Sequence, residues 1–135
     1  MSSEATMMDL SGTWRYFIDK DEDGEANRYF DGEFDFSSWP EIAVPNNWYL
    51  TEIGDYFGVI WHKTEFDAPD SMSGRRNYLR FNGVDYYASV WLNGIYVGFH
   101  EGGFTPFELD VTAALNCGAR NVLVVKVDAP RDPTE

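Results

Sequence analysis

An Asn-Gly dipeptide, Asn93-Gly94, separates two runs of residues that favour β-strands, 87–92 and 95–98. Both runs are rich in aromatic and β-branched side chains, which pack well on a pleated sheet. Asn and Gly tolerate the positive φ angles of a type I′ turn, whose twist matches that of two paired strands. The sequence therefore predicts a β-hairpin at this position.

Four further runs, aromatic or alternating in polarity, also favour strands: 13–18, 59–66, 76–81 and 121–127. No segment shows a sustained helical period with caps, although 35–39 and 113–115 suit single helical turns. Short strands joined by turns, without a strand–helix–strand alternation, indicate an all-β sandwich. The patterns alone leave open whether the connections are those of a jelly roll or of an immunoglobulin-like fold.

The charge of the chain excludes several classes of partner. Its 135 residues include 23 acidic and 10 basic side chains, for a formal net charge of −13. Binding to nucleic acid needs clustered Lys and Arg to neutralise phosphates, and docking on an anionic membrane needs a basic surface. We therefore expect neither nucleic acid nor a membrane as partner.

Aromatic residues make up 17% of the chain, which is enough to form a packed core and excludes intrinsic disorder.

The N-terminal residues and the single cysteine bear on the cellular compartment. Residues 1–8 lack the basic start and apolar middle of a signal peptide, and no apolar stretch is long enough to form a membrane-spanning helix. Cys117 is the one cysteine, so the chain cannot form an internal disulfide. These features slightly favour the cytoplasm, where thiols stay reduced.

Carboxylates on alternate residues follow the first predicted strand, namely Asp19, Asp21, Asp23 and Glu25. With Gly24 among them, they resemble the first half of a calcium-binding loop, where hard oxygens surround a hard cation. The EF-hand pattern requires Glu at its twelfth position, which here is Phe30, so an EF-hand is excluded. A looser calcium site on the four carboxylates and a solvent-exposed acidic loop both remain open, and no other cofactor is expected.

Aromatic residues outside the predicted strands are candidates for sugar binding, because a sugar ring stacks its apolar face on an aromatic ring. Six of them lie outside the strong strand patterns: Trp39, Trp48, Tyr49, Tyr56, Phe57 and Phe104. Most aromatic side chains of a small sandwich must nevertheless fill its core. Only a few of these residues are therefore free to serve a ligand.

Residues 98–111 form a predicted loop with glycines and four titratable side chains: His100, Glu101, Glu108 and Asp110. Loops held by a rigid scaffold often carry function. The carboxylates can instead cap the turn that follows, so a functional and a structural role are equally open.

The chain has no Gly-x-Ser-x-Gly sequence, which excludes the nucleophile elbow of a serine hydrolase.

Seven motifs follow one another along residues 10–130: 10–14 (LSGTW), 42–48 (IAVPNNW), 58–63 (GVIWHK), 79–88 (LRFNGVDYYA), 90–94 (VWLNG), 100–108 (HEGGFTPFE) and 124–128 (VVKVD). Each motif is weak alone, but together and in this order they resemble the N-terminal domain of glycoside hydrolase family 2. That family contains β-galactosidases, β-glucuronidases and β-mannosidases.

The resemblance implies a fold and a division of labour. The fold is a jelly-roll β-sandwich of the galactose-binding-domain type over residues 10–129, with a flexible leader at 1–9 and the start of an interdomain linker at 130–135. Members of the family hydrolyse glycosides with two carboxylates on a separate (β/α)8 barrel of about 250 residues. The chain alone is therefore expected to be non-catalytic, with carbohydrate and the barrel of a parent glycoside hydrolase as its partners.

The resemblance also implies which polar residues contact the sugar. The asparagine of the family's Val-Pro-x-Asn-Trp stretch falls on Asn47, and the aspartate of its Pro-Phe-Glu-x-Asp stretch falls on Asp110. His100 and Glu101 lie in the adjoining His-Glu-Gly-Gly stretch. Some β-galactosidases have an aspartate where this chain has Gly102, and this difference favours glucuronidase-like members or members of broader specificity. In the same stretches, Trp48 and Phe104 are the candidates for stacking on a sugar ring.

Two alternative functions use the same sandwich. A free-standing carbohydrate-binding module or lectin would bind sugar through the loop aromatics without any barrel. A structural or oligomerisation domain would use an exposed apolar face to form homo-oligomers. Sugar binding by the isolated chain tests the first alternative, and sedimentation at several concentrations tests the second.

Overall fold

The computed structural model of the chain describes residues 8–10, 12–44, 58–81, 87–101 and 106–129. Eight strands and one turn of 3-10 helix (Asp70–Met72) lie in this part of the chain. The strands are β1 (Gly12–Ile18), β2 (Glu41–Val44), β3 (Gly58–Asp67), β4 (Tyr78–Phe81), β5 (Tyr87–Leu92), β6 (Ile95–Glu101), β7 (Phe107–Asp110) and β8 (Arg120–Ala129). None of the described helices is long and apolar enough to cross a membrane.

Six of these strands form one sheet in the order β2-β1-β3-β8-β5-β6, and β4 and β7 form a second sheet. All pairings are antiparallel. At the centre of the large sheet, β3 and β8 pair along their whole length, from Gly58 opposite Ala129 to Asp67 opposite Arg120. The all-β sandwich expected from the sequence is therefore confirmed.

The main hydrophobic core lies between the two sheets. The face of the large sheet that points towards it, the inner face, contributes buried residues from its central strands: Ile60, Ala88, Val90, Leu92, Leu123, Val125 and Val127. Leu79 of β4 and Leu109 of β7 close the core from the small sheet. Gly98 of β6 allows this close approach, because a Cβ atom there would lie 2.5 Å from Cδ2 of Leu109.

The opposite face of the large sheet, the outer face, is also buried over much of its area. Trp61, Trp91 and Val124 form its centre. Residues 19–40, which connect β1 to β2 and are here called the cover segment, fold over this face. Five aromatic residues of the cover segment pack on it: Tyr29, Phe30, Phe34, Phe36 and Trp39. As a result β3 is buried on both faces from Val59 to Lys63.

The hairpin predicted at Asn93-Gly94 is confirmed, with β5 and β6 on its two sides. Asn93 and Gly94 have φ angles of 55° and 79°, as a type I′ turn requires. The Asn93 side chain also donates to the carbonyl of Ala114 at 2.8 Å and accepts from the N–H of Val122 at 2.9 Å. The turn is thus tied to β8 and to the chain that precedes it.

The remaining strand predictions are confirmed with shifted ends, and two strands were missed. The run predicted at 76–81 is a strand only from Tyr78, whereas β1, β3 and β8 each match their predicted runs within about two residues at both ends. The missed strands, β2 and β7, have four residues each, which is too short for a clear alternation. Because β6 continues to Glu101 and β7 begins at Phe107, most of the described residues in the predicted loop 98–111 lie in strands.

The predicted single helical turns are hydrogen-bonded turns. At 35–39 the N–H of Trp39 donates to the carbonyl of Phe36 at 3.0 Å, and at 113–115 the N–H of Ala114 donates to that of Val111 at 3.0 Å. Of the predicted leader, 1–9, the structure describes residues 8–9 alone. The predicted linker, 130–135, lies outside the described residues.

Because His62 is buried on the inner side of β3, the protein is expected to lose stability in acid. Burial lowers the pKa of its imidazole to about 4, whereas the unfolded chain keeps a pKa of about 6.5. Between these values the unfolded state binds more protons, so the free energy of unfolding falls as the pH drops from 6.5 to 4, by about 3 kcal/mol. Urea titrations of the wild type and His62→Gln across this pH range measure the loss of stability. Carboxylates titrate in both proteins, so the same change of unfolding free energy with pH in both would contradict the lowered pKa of His62.

Candidate functional site

Asp110, the aspartate expected to contact sugar, lies at the end of β7 in a fixed ionic network. Its Oδ2 accepts a hydrogen bond from the Arg76 guanidinium at 2.9 Å. Its Oδ1 accepts from the backbone N–H and the hydroxyl of Thr112, at 2.9 and 2.6 Å. These bonds, with Thr112 contributing most, hold the pKa of Asp110 below its usual value. The carboxylate is therefore ionised and held in one orientation, as expected of a residue that caps the following turn.

An open cleft of about 710 Å³ adjoins this network. Its walls come from two segments, residues 72–77 and 112–119. Arg75 and Arg76 line one side, and Asn116 and the free thiol of Cys117 line another. Arg76 is neutralised by Asp110, whereas Arg75 forms no ion pair among the described residues and is therefore the unpaired cation of this cleft.

His100 lies on the inner side of β6 and takes part in an aromatic stack. Its ring lies parallel to that of Phe107 at 4.0 Å, and Phe107 stacks in turn on Phe81 at 4.8 Å. Its Nε2 atom is buried and has no hydrogen-bond partner among the described residues. Phe107 begins β7 and Asp110 ends it, about 10 Å apart along an extended strand. The structure therefore does not bring His100 and Asp110 into one site.

Glu101 lies on the outer side of β6, because successive residues of a strand point to opposite faces. It is directly opposite Tyr87 in the β5–β6 pairing, and its side chain is exposed. It forms no ion pair with any residue in the part of the chain that the structure describes. The three described candidates for sugar contact thus occupy three separate places.

The other predicted sugar-binding residues, Asn47, Trp48 and Phe104, lie outside the described residues, as do Tyr49, Tyr56 and Phe57. Trp39, also considered for stacking on sugar, is buried against the outer face of the sheet instead. Its ring stacks on Phe17 at 5.4 Å, so it is a core residue.

The structure does not bring the four carboxylates of the acidic run, considered as calcium ligands, together at one point. Asp19 is only 2% exposed and points inward, where Oδ2 accepts from the N–H of Gly24 at 2.8 Å and from Nε1 of Trp61 at 2.9 Å. Its Oδ1 accepts from the N–H of Asp23 at 3.2 Å. Asp21, Asp23 and Glu25 are exposed. In the described part of the chain, no three acidic, His or Cys side chains converge as metal ligands.

Lys63 is a buried charged residue that the sequence analysis missed. It lies on the outer side of β3 with 0% exposure, and its Nζ donates to the carbonyls of Tyr29 and Asp31 at 2.9 and 3.0 Å. The ammonium also lies 4.7 Å from the ring centre of Phe36 and 5.1 Å from that of Phe34. Burial lowers its pKa to about 8. A lysine at the centre of an apolar strand was the signal available in the sequence.

Comparison with known proteins shows the family. A model described as "Glycosyl hydrolases family 2, sugar binding domain" matches residues 7–133. A β-glucuronidase from Paenibacillus borealis is 34% identical over 124 residues, which cover 89% of this chain and 20% of that protein. A β-galactosidase from Thermoanaerobacter pseudethanolicus is 30% identical over 126 residues, which cover 91% of this chain and 17% of that protein.

The fold is similar to part of the solved structure of a larger protein. A β-glucuronidase from Ruminococcus gnavus in complex with D-glucuronic acid superposes with a TM-score of 0.88 at 27% identity, over 100% of this chain and 24% of that one. Together with the two-sheet topology, this confirms the jelly-roll sandwich implied by the resemblance. The chain spans about a fifth of the length of the relatives it matches.

Proposed function

Because the chain belongs to the sugar binding domain of glycosyl hydrolases family 2, we propose that it serves as a non-catalytic domain of a larger glycoside hydrolase. In this proposal it packs on a (β/α)8 barrel and lends side chains to the sugar pocket. The observation that carries the proposal is the coverage: nearly all of this chain matches about a fifth of each relative. A barrel needs about 250 residues, so the two hydrolytic carboxylates belong elsewhere in such an enzyme.

The geometry of Asp110 suits a contact at the rim of a sugar pocket. A carboxylate offers about four acceptor positions, of which Arg76 and Thr112 occupy three. One position remains to accept a hydrogen bond from a sugar hydroxyl. Because the carboxylate is already oriented, it would lose little entropy on binding. Asn47 is proposed as a second contact from the family motif.

The class of sugar that we favour is a glucuronide. Gly102 stands where some β-galactosidases have an aspartate. Arg75, the unpaired cation of the cleft beside Asp110, also favours a ligand with a carboxylate over a neutral one. One relative that is similar to this chain is named a β-glucuronidase, and another is named a β-galactosidase.

Site-directed variants of the full-length parent enzyme test the assignment. We expect Asp110→Ala and Asn47→Ala each to lower kcat/KM for p-nitrophenyl β-glucuronide, by about 1–3 kcal/mol in transition-state stabilisation. Glu108→Ala is the matched control, since Glu108 is exposed on the same strand and pairs with Arg80 at 3.4 Å. Unchanged kcat/KM in both variants would refute the site assignment. Hydrolysis by the isolated chain would refute a non-catalytic role.

A further inference from the structure

The outer face of the large sheet is not covered along its whole width. The cover segment reaches Trp91 of β5 through Phe30, whose ring stacks on it at 5.2 Å. Beyond Trp91, on β6, Tyr96 is 54% exposed and Phe99 is 49% exposed. A register shift in the β5–β6 pairing, between Val90 and Trp91, puts both side chains on the outer face although they are three residues apart. Large aromatic side chains this exposed lose hydrophobic stabilisation unless something covers them.

The strand register places these aromatic residues beside polar side chains on one surface. Tyr96 is opposite Trp91, Phe99 is opposite Ser89, and Glu101 is opposite Tyr87. On the other side of β5, Ser89 is opposite Lys126 and Tyr87 is opposite Asp128. Paired residues share a face, so six side chains form one surface, the aromatic patch: Tyr87, Ser89, Tyr96, Phe99, Glu101 and Asp128.

The rings of the patch are held in place by their neighbours. Tyr96 packs edge-on against Trp91 at 5.5 Å, and Trp91 stacks on the buried Trp61 at 5.4 Å. Tyr87 and Phe99 lie nearly parallel, with their centres 6.1 Å apart. Ordered rings lose little conformational entropy when a ligand covers them, which favours binding.

The chemistry of the patch selects its occupant. Glu101 and Asp128 are acceptors, and the neighbouring cation, Lys126, is engaged by Glu25 at 3.5 Å and by the Trp61 ring. A ligand must therefore supply hydrogen-bond donors and apolar faces without negative charge. A second copy of the chain would bring two acidic surfaces together, at a net charge of −13 each.

We propose that the aromatic patch binds a neutral saccharide chain, whose rings stack on Tyr96 and Phe99 while their hydroxyls donate to Glu101 and Asp128. This site goes beyond the proposed function, because it lies on the outer face of the large sheet, whereas Asp110 lies on the small sheet. It gives the chain an affinity for polysaccharide that does not depend on catalysis.

Affinity electrophoresis of the complete 135-residue chain tests the proposal, with xyloglucan, galactomannan or mixed-linkage β-glucan in the gel and polygalacturonate as the anionic comparison. We expect at least one neutral polysaccharide to retard the wild type. The Tyr96→Ala/Phe99→Ala double variant should bind about tenfold more weakly or worse. Tyr78→Ala is the matched control, because Tyr78 is 55% exposed on the small sheet, and its affinity should stay within about twofold.

Three results would overturn the proposal: no retardation by any neutral polysaccharide, equal retardation of the wild type and the double variant, or preference for polygalacturonate. If the double variant fails to fold by circular dichroism, Phe99→Ala alone and Glu101→Gln replace it, with the same expected loss of affinity. Sedimentation distinguishes a second copy of the chain from a saccharide as the occupant of the patch. A wild-type dimer that Phe99→Ala made monomeric would assign the patch to a second copy and also overturn the proposal. Asp110→Ala should retain polysaccharide binding, so this test is independent of the cleft.

Discussion

Asp19→Ala is expected to lower the free energy of unfolding by about 3–4 kcal/mol. The carboxylate accepts from two backbone N–H groups and from the indole N–H of Trp61, and the variant leaves these donors without an acceptor. The Gly24 and Trp61 groups are buried, so each lost bond costs the desolvation of an unpaired donor. A side chain introduced at position 24 cannot replace the lost acceptor, because its Cβ atom would lie 2.4 Å from Nε1 of Trp61.

Chemical denaturation of the wild type, Asp19→Ala and Asp21→Ala measures this effect. Asp21 belongs to the same acidic run but is exposed, so its variant is expected to stay within about 0.5 kcal/mol of the wild type. Equal losses in the two variants would contradict the anchoring role of Asp19. Calcium in the same titrations should leave all three midpoints unchanged, since the carboxylates do not converge. A calcium-dependent shift in the wild type would restore the metal site.

Lys63→Met is expected to cost about 2–4 kcal/mol at pH 7. Methionine keeps most of the side-chain volume but leaves the carbonyls of Tyr29 and Asp31 without their donor. It also removes the attraction between the ammonium and the surrounding rings, including that of Trp39 at 5.9 Å. Part of this loss is offset, because the variant no longer buries a charge. Lys20→Met, at an exposed lysine within the cover segment, should have little effect.

The pH dependence of this difference has a defined sign. The folded-state pKa of Lys63 is about 8 and its ordinary value is 10.5, so the unfolded chain binds more protons between these values. The contribution of Lys63 to the free energy of unfolding therefore grows as the pH rises from 8 to 10.5. The gap between the wild type and Lys63→Met should widen over this range. A constant or shrinking gap would contradict burial of the ammonium.

The parts of the fold that local sequence determines were predictable. Asn93-Gly94 specifies its turn through the φ angles of two adjacent residues, and β8 shows its run of Val and Leu in sequence. The two-sided burial of β3 was not predictable, because it depends on a segment that local patterns describe only as acidic and aromatic. The sequence showed the charges of the cover segment, but not that its aromatic side chains turn towards the sheet.

The candidate site was predictable as residue types and not as an arrangement. Family motifs identify Asp110, but its ionic partner Arg76 is 34 residues away in sequence and is brought near by the β4–β7 pairing. His100 and Glu101 are adjacent in sequence, and the alternation of a strand sends them to opposite faces. The exposed rings of Tyr96 and Phe99 stood in a run that predicts a strand, where aromatic residues are ordinarily assigned to the core.

The cover segment leaves the large sheet at β1 and returns at β2, and these two strands are neighbours. Its ends are therefore already close, and the N–H of Tyr16 donates to the carbonyl of Pro40 at 2.9 Å where they meet. An insert with joined ends can change in length or sequence without rearranging the strands, since loop closure depends only weakly on length. Its inward aromatic residues are constrained by the sheet, whereas its outward carboxylates face water. During divergence, surface charge, and with it solubility, can therefore change independently of the fold.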